Sequence, residues 1–140
     1  MRSFCIYVKN CVFSDKEKYF EKIESCVFDY VTDEICDTIF LSATNENELR
    51  LIEFVFEFRK CYKIPFKIFV LENKPQSNNE TNEKSVAILK MADDILPEKT
   101  ALEDLTFGVV VVDCKEDKRI ANIKRKIERR GVLCEKIKIE

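Results

Sequence analysis

Two hydrophobic periods take turns along this chain. Phe4-Cys5-Ile6-Tyr7-Val8 is a short run of apolar, β-branched and aromatic residues, with Phe4, Ile6 and Val8 on one face of a predicted strand. Helical spacing follows: Tyr19, Phe20, Ile23, Val27 and Tyr30 make one stripe that ends near Val31. Ser14 and Glu17 stand at capping-box spacing ahead of it, where each side chain satisfies the other's free backbone amide. Asp37 to Ala43, "DTIFLSA", reads as a buried strand, and Thr44 or Asn45 caps a second helix running to about Cys61. Leu49, Leu51, Ile52, Phe54, Val55, Phe56 and Phe58 cover most of that helix's circumference, so it is expected to be the most buried. Pro65 cannot continue it, and Phe66 to Glu72 is the third strand.

Asn73 to Asn82 holds no apolar residue and is expected to be a mobile surface loop. Val86, Leu89, Ala92, Ile95 and Leu96 then fall at the spacing of a shorter helix stopped by Pro97, with a connector from Glu98 to Leu105. "FGVVVVD", Phe107 to Asp113, is the clearest strand, since a bare Val run suits a position buried on both faces. A helix from Glu116 to Arg130 carries Ile120, Ile123 and Ile127 inward, and Gly131 ends it in the left-handed conformation. Val132 to Ile139 closes the chain as a strand whose Glu135, Lys136 and Lys138 suit a sheet edge. Helical crossovers join parallel neighbours, so the pattern predicts an α/β fold: a three-layer α/β/α, Rossmann-like, mostly parallel sheet. About five strands are expected, with room for one antiparallel edge strand.

Composition narrows the picture. The 140 residues suit a single domain over residues 1–140, and 46% apolar residues with eleven Phe supply its core. Seven cysteines are scattered singly through apolar runs with no C-x-x-C pair, which predicts free thiols in a reducing, cytoplasmic setting. No apolar run is long enough to cross a membrane, so a membrane is not an expected partner. Residues 115–140 carry a local charge of +5 against −7 for the preceding 114. Lys118, Arg125 and Arg129 fall on one side of the last helix with Lys124 and Arg130 nearby, a patch that is either a solvated face or an anion-binding one.

Absences exclude more than the motifs include. With no His, the commonest general base and most metal sites are missing, and no metal ligand set is expected. Only Gly108 and Gly131 exist, so a glycine-rich phosphate loop has no material. In a doubly wound sheet ligands sit at the carboxyl ends of the strands. Those ends supply Ser42, Thr44 and Asn45, then Glu72, then Asp113 and Lys115, as ligand-binding candidates. The same residue types also close strands with turns, and Asp113 equally suits a helix cap. No catalytic residue is assigned.

From Asp37 to the end, residues 37–140, the chain resembles the core of Rossmann-like S-adenosylmethionine-dependent methyltransferases. "DDILPEKTALEDLTFGVVVVDCK" is similar to the stretch leading into their fourth strand, and "RRGVLCEKI" to their helix end and fifth strand. The resemblance implies Glu72 on ribose hydroxyls, Asp93 or Asp94 near adenine, and Asp113 on the substrate side. Where the family has a glycine-rich turn, this chain has "TNENE", which works against S-adenosylmethionine as cofactor.

Three functions follow as expectations. The first is a non-catalytic Rossmann-like domain that binds a partner or small ligand, since His and glycine loop are both missing. The second is a degenerate or divergent methyltransferase-like enzyme, because methyl transfer works largely by positioning. The third is a nucleic-acid or nucleotide-binding module using the basic helix, which lacks an aromatic stacking platform. A protein partner or a homodimer is compatible with the sequence, and the wide apolar surface of the second helix is buried either in its own core or against a second subunit.

Overall fold

The computed structural model describes residues 2–9, 16–33, 36–72, 92–112 and 118–138. Strand β1 (Ser3–Val8) leads to helix α1 (Lys16–Thr32), β2 (Thr38–Leu41), α2 (Glu46–Tyr62) and β3 (Lys67–Glu72). Then come β4 (Asp94–Pro97), α3 (Glu98–Glu103), β5 (Phe107–Val112), α4 (Lys118–Arg129) and β6 (Leu133–Lys138). The six strands form one sheet in the order β4-β3-β2-β1-β5-β6, and every pairing is parallel. The chain thus builds outward from β1 to β4, then returns to lay β5 on the other side of β1. All six residues of β1 are buried, as a strand covered on both faces requires.

Alternate residues of the strands divide between two cores. Phe4, Ile6 and Val8 pack with α1 and α2 on one face, together with Ile39, Leu41, Ile68 and Val70. Cys5 and Tyr7 point to the other face, where Ala101 and Leu102 of α3 and Ile120, Ile123 and Ile127 of α4 cover them. This is the three-layer Rossmann-like arrangement that the alternating periods predict. The apolar surface of α2 is taken up by this chain's own core, with Leu49, Leu51, Ile52, Val55 and Phe58 all buried.

Helix boundaries follow local chemistry. Asn45 caps α2: its side chain accepts the Glu48 amide at 3.0 Å, and its own φ of −144° is extended. Lys63 ends α2 in the left-handed region, with φ 53°. Gly131 follows α4 with φ +75°, the conformation glycine adopts without strain. The Ser14–Glu17 box, the loop at 73–82 and the first part of the helix expected from Val86 lie wholly or partly outside the described residues.

Two expectations are corrected. Ile95 and Leu96 belong to β4, not to a helix, because a short apolar run suits either period and the open edge of β3 selects the strand. With β4 the described residues form six parallel strands, in keeping with the mostly parallel sheet of about five strands that the pattern predicts. The connector at 98–105 contains α3, whose Ala101 and Leu102 are buried against the sheet. β6 is an edge strand, as its charges predict, with Leu133 77% exposed.

Candidate ligand site at the strand ends

The order of strands reverses between β1 and β5, so the carboxyl end of β1 is where a doubly wound sheet opens a crevice. A buried polar cluster sits at that end. Its centre is Glu48, in the first turn of α2, with no exposed side-chain surface. A carboxylate there is favoured by the free amides and dipole of the helix N-terminus. Its Oε2 accepts the Val8 amide at 3.1 Å, and its Oε1 accepts the Thr44 amide at 3.1 Å and the Thr44 hydroxyl at 2.5 Å.

Arg119 comes in from the first turn of α4. Its Nη2 donates to Glu48 Oε1 at 3.0 Å, to Oε2 at 3.3 Å and to Ser42 Oγ at 3.0 Å. Asn45 Nδ2 donates to the Val8 carbonyl at 3.0 Å, and Asn47 Nδ2 to the Lys9 carbonyl at 2.9 Å. One carboxylate therefore ties β1, the β2–α2 turn and α4 together.

Two polar atoms in this cluster are buried and have no hydrogen-bond partner among the described residues: the Tyr7 hydroxyl and Arg119 Nη1. The Arg119 guanidinium lies 5.8 Å from the centre of the Tyr7 ring. Burial first, then electrostatic coupling to Cys5 and the negative fields of Glu98 and Glu48, push the Tyr7 phenol well above its usual value, with Arg119 opposing. The Tyr7 hydroxyl is thus a neutral group that keeps its proton and has a hydrogen bond to give.

Of the candidates read from the sequence, Ser42, Thr44 and Asn45 are brought together around Glu48. Glu72 ends β3, which is separated from β1 by β2, and its side chain is not among those described. Asp113 and Lys115 lie outside the described residues. Asp93 precedes β4 and so stands at the amino end of the strands, opposite the crevice. There it accepts Arg59 Nη1 and the Ile68 amide, each at 2.7 Å. Burial works to raise its pKa, but the Ile68 amide and Arg59 outweigh that and hold it below the usual carboxylate value.

The strand-end reading misses Tyr7, Glu48 and Arg119. Glu48 had a visible cue, since Asn45 and Glu48 stand at the same spacing as Ser14 and Glu17. Arg119 hides among the basic residues of α4, and nothing local distinguishes it from its solvated neighbours.

Those neighbours behave as the helical spacing predicts. Ile120, Ile123 and Ile127 are buried, Lys118, Arg125, Arg129 and Arg130 are exposed, and Lys124 is half-buried with Glu128 4.0 Å away. Replacing Lys118, Arg125 and Arg129 by Gln is expected to change stability by no more than about 0.5 kcal/mol each in urea titration. A larger loss at any of the three would mean that the side chain holds a contact in the fold.

Among the described residues no group of His, Cys, Asp and Glu is arranged to hold a metal ion. No described helix is long and apolar enough to cross a membrane. The fold and the cluster define a doubly wound α/β protein with a buried polar cluster at its topological switch. No family model, curated protein or solved structure significantly matches the chain.

Proposed function

We propose that this is a non-catalytic Rossmann-like domain that holds a small ligand at the carboxyl ends of β1 and β2. The observation that supports the reading is the pair of buried groups there without a partner among the described residues, the Tyr7 hydroxyl and Arg119 Nη1. A buried polar group without a partner costs about 1–3 kcal/mol, which a ligand's acceptor atom recovers. The charge of Arg119 is already balanced by Glu48, and Glu98 adds a further negative field at Tyr7. These charges favour an uncharged acceptor, such as a carbonyl or ring nitrogen, over phosphate or carboxylate.

The non-catalytic part of the reading rests on commitment of the groups. Glu48 is filled by two amides, a hydroxyl and Arg119, and the Tyr7 proton is held too tightly for a general base near neutral pH. A reducing cytoplasmic setting belongs to the same reading. Cys5, Cys26 and Cys36 lie in the core as small apolar side chains without disulfides, which fits such a compartment.

Ligand-observed and amide NMR with uncharged carbonyl-bearing fragments tests the proposal, with carboxylate and phosphate compounds as comparators. Uncharged fragments are expected to shift the Arg119 side-chain signals and to bind about tenfold more weakly to Tyr7→Phe. Binding by the anions alone, equal binding by Tyr7→Phe, or no binding at all would overturn it. S-adenosylmethionine belongs in the same titration and is expected not to bind in the micromolar range. Micromolar affinity lost in Glu72→Ala would put the methyltransferase-like reading first.

A further inference from the structure

A second feature takes in Glu98, whose field reaches Tyr7, but none of the hydrogen-bonded groups of the strand-end cluster. Between α3 and α4 runs an open cleft of about 530 Å³, inside the range of roughly 300–1,000 Å³ typical of ligand clefts. Its two walls differ in charge. The α3 wall presents Glu98 and Glu103 with Lys99 beside them, and the α4 end presents Lys126, Arg129 and Arg130. Leu102 lies between. No ion pair crosses the cleft among the described residues, although both signs are present on its rim.

We propose that this cleft binds an extended peptide segment of a partner protein. The segment presents an acidic residue to Lys126, Arg129 and Arg130, an apolar side chain to Leu102, and a basic residue to Glu98 and Glu103. Charge complementarity selects this occupant over nucleic acid. Two carboxylates on one wall repel a phosphate backbone, and no aromatic residue lines the cleft for base stacking. Exposed ion pairs each contribute little, so several must act together, and the affinity is modest and falls with salt.

Fluorescence anisotropy on the full chain tests the proposal. The probe is a labelled Ser/Gly peptide carrying Lys, Leu and two Asp in that order, with an all-acidic peptide and a single-stranded RNA as competitors. The mixed-charge peptide is expected to bind, and to weaken about tenfold in Arg129→Gln/Arg130→Gln and again in Glu98→Gln/Glu103→Gln. Glu103, Arg129 and Arg130 are exposed and Glu98 is half-buried, and circular dichroism checks that the variants stay folded. Amide shifts in the wild-type chain are expected at residues 98–103 and 126–130. Undiminished binding in Glu98→Gln/Glu103→Gln, tighter binding of RNA, shifts confined to other residues, or no binding each overturn the proposal.

Discussion

Replacing Glu48 by Ala is expected to lower the unfolding free energy by about 3 kcal/mol, near the low end of the range for a broken buried ion pair. The substitution strips the acceptor from the amides of Val8 and Thr44 and from Arg119 in one step. Each buried amide left without a partner costs about 1–3 kcal/mol. Arg119 softens the loss, because its side chain is 33% exposed and turns toward water more easily than a sealed cation. Glu48→Gln keeps the volume and one acceptor oxygen, so its loss is expected to be smaller. Urea unfolding checks both, provided the slope of the transition is unchanged. A midpoint for Glu48→Ala within about 0.5 kcal/mol of wild type would show that the cluster does not hold the switch end of the sheet together.

Gly108→Ala is expected to cost about 1–3 kcal/mol by overpacking. Gly108 sits on β5 in register with Cys5 on one side and Cys134 on the other. A Cβ there meets Ile127 Cγ2 at 2.9 Å, Ile127 Cδ1 at 3.2 Å and Cys134 Sγ at 3.4 Å. Ile127 is 1% exposed, and its branched Cβ leaves it one comfortable χ1 in a helix, so the neighbour cannot swing aside. The glycine is needed for the close approach of α4 to the sheet. A double-mutant cycle with Ile127→Ala separates this cause from a general weakening of β5. Gly108→Ala is expected to cost less in the Ile127→Ala background than in wild type. Equal cost in both would place the strain elsewhere.

The candidate site was half legible in the sequence. Ser42, Thr44 and Asn45 were readable because polar residues at the end of a buried strand are visible by position alone. Tyr7 was not, since a tyrosine inside an apolar strand looks like core, and it is core except for its hydroxyl. Arg119 was hidden for the opposite reason. It lies in a helix whose other basic residues are solvated, and its inward turn is a consequence of where α4 lands over β1. Glu72, at the end of β3 and separated from β1 by β2, shows the limit of reading strand ends one at a time. Position at a strand end says which end of the sheet a residue occupies, but not which strands are neighbours.

What the sequence determined by itself is the set of elements and their faces. A period of two or of 3.6 is a local property, and a buried face needs it wherever the element goes. That fixed β1, α1, β2, α2, β3, β5, α4 and β6, the Asn45 cap, the Gly131 stop and the inward stripe of α4. The identity of β4 was decided by tertiary structure, because four residues carry too few repeats to choose a period and the open edge of β3 chose for them. Tertiary structure also placed β1 at the centre, since strand order depends on which crossovers bury the most surface. The meeting of Glu48 with Arg119, 71 residues apart, belongs to the same class. It exists only because two helices on opposite faces of the sheet begin at the same end of it.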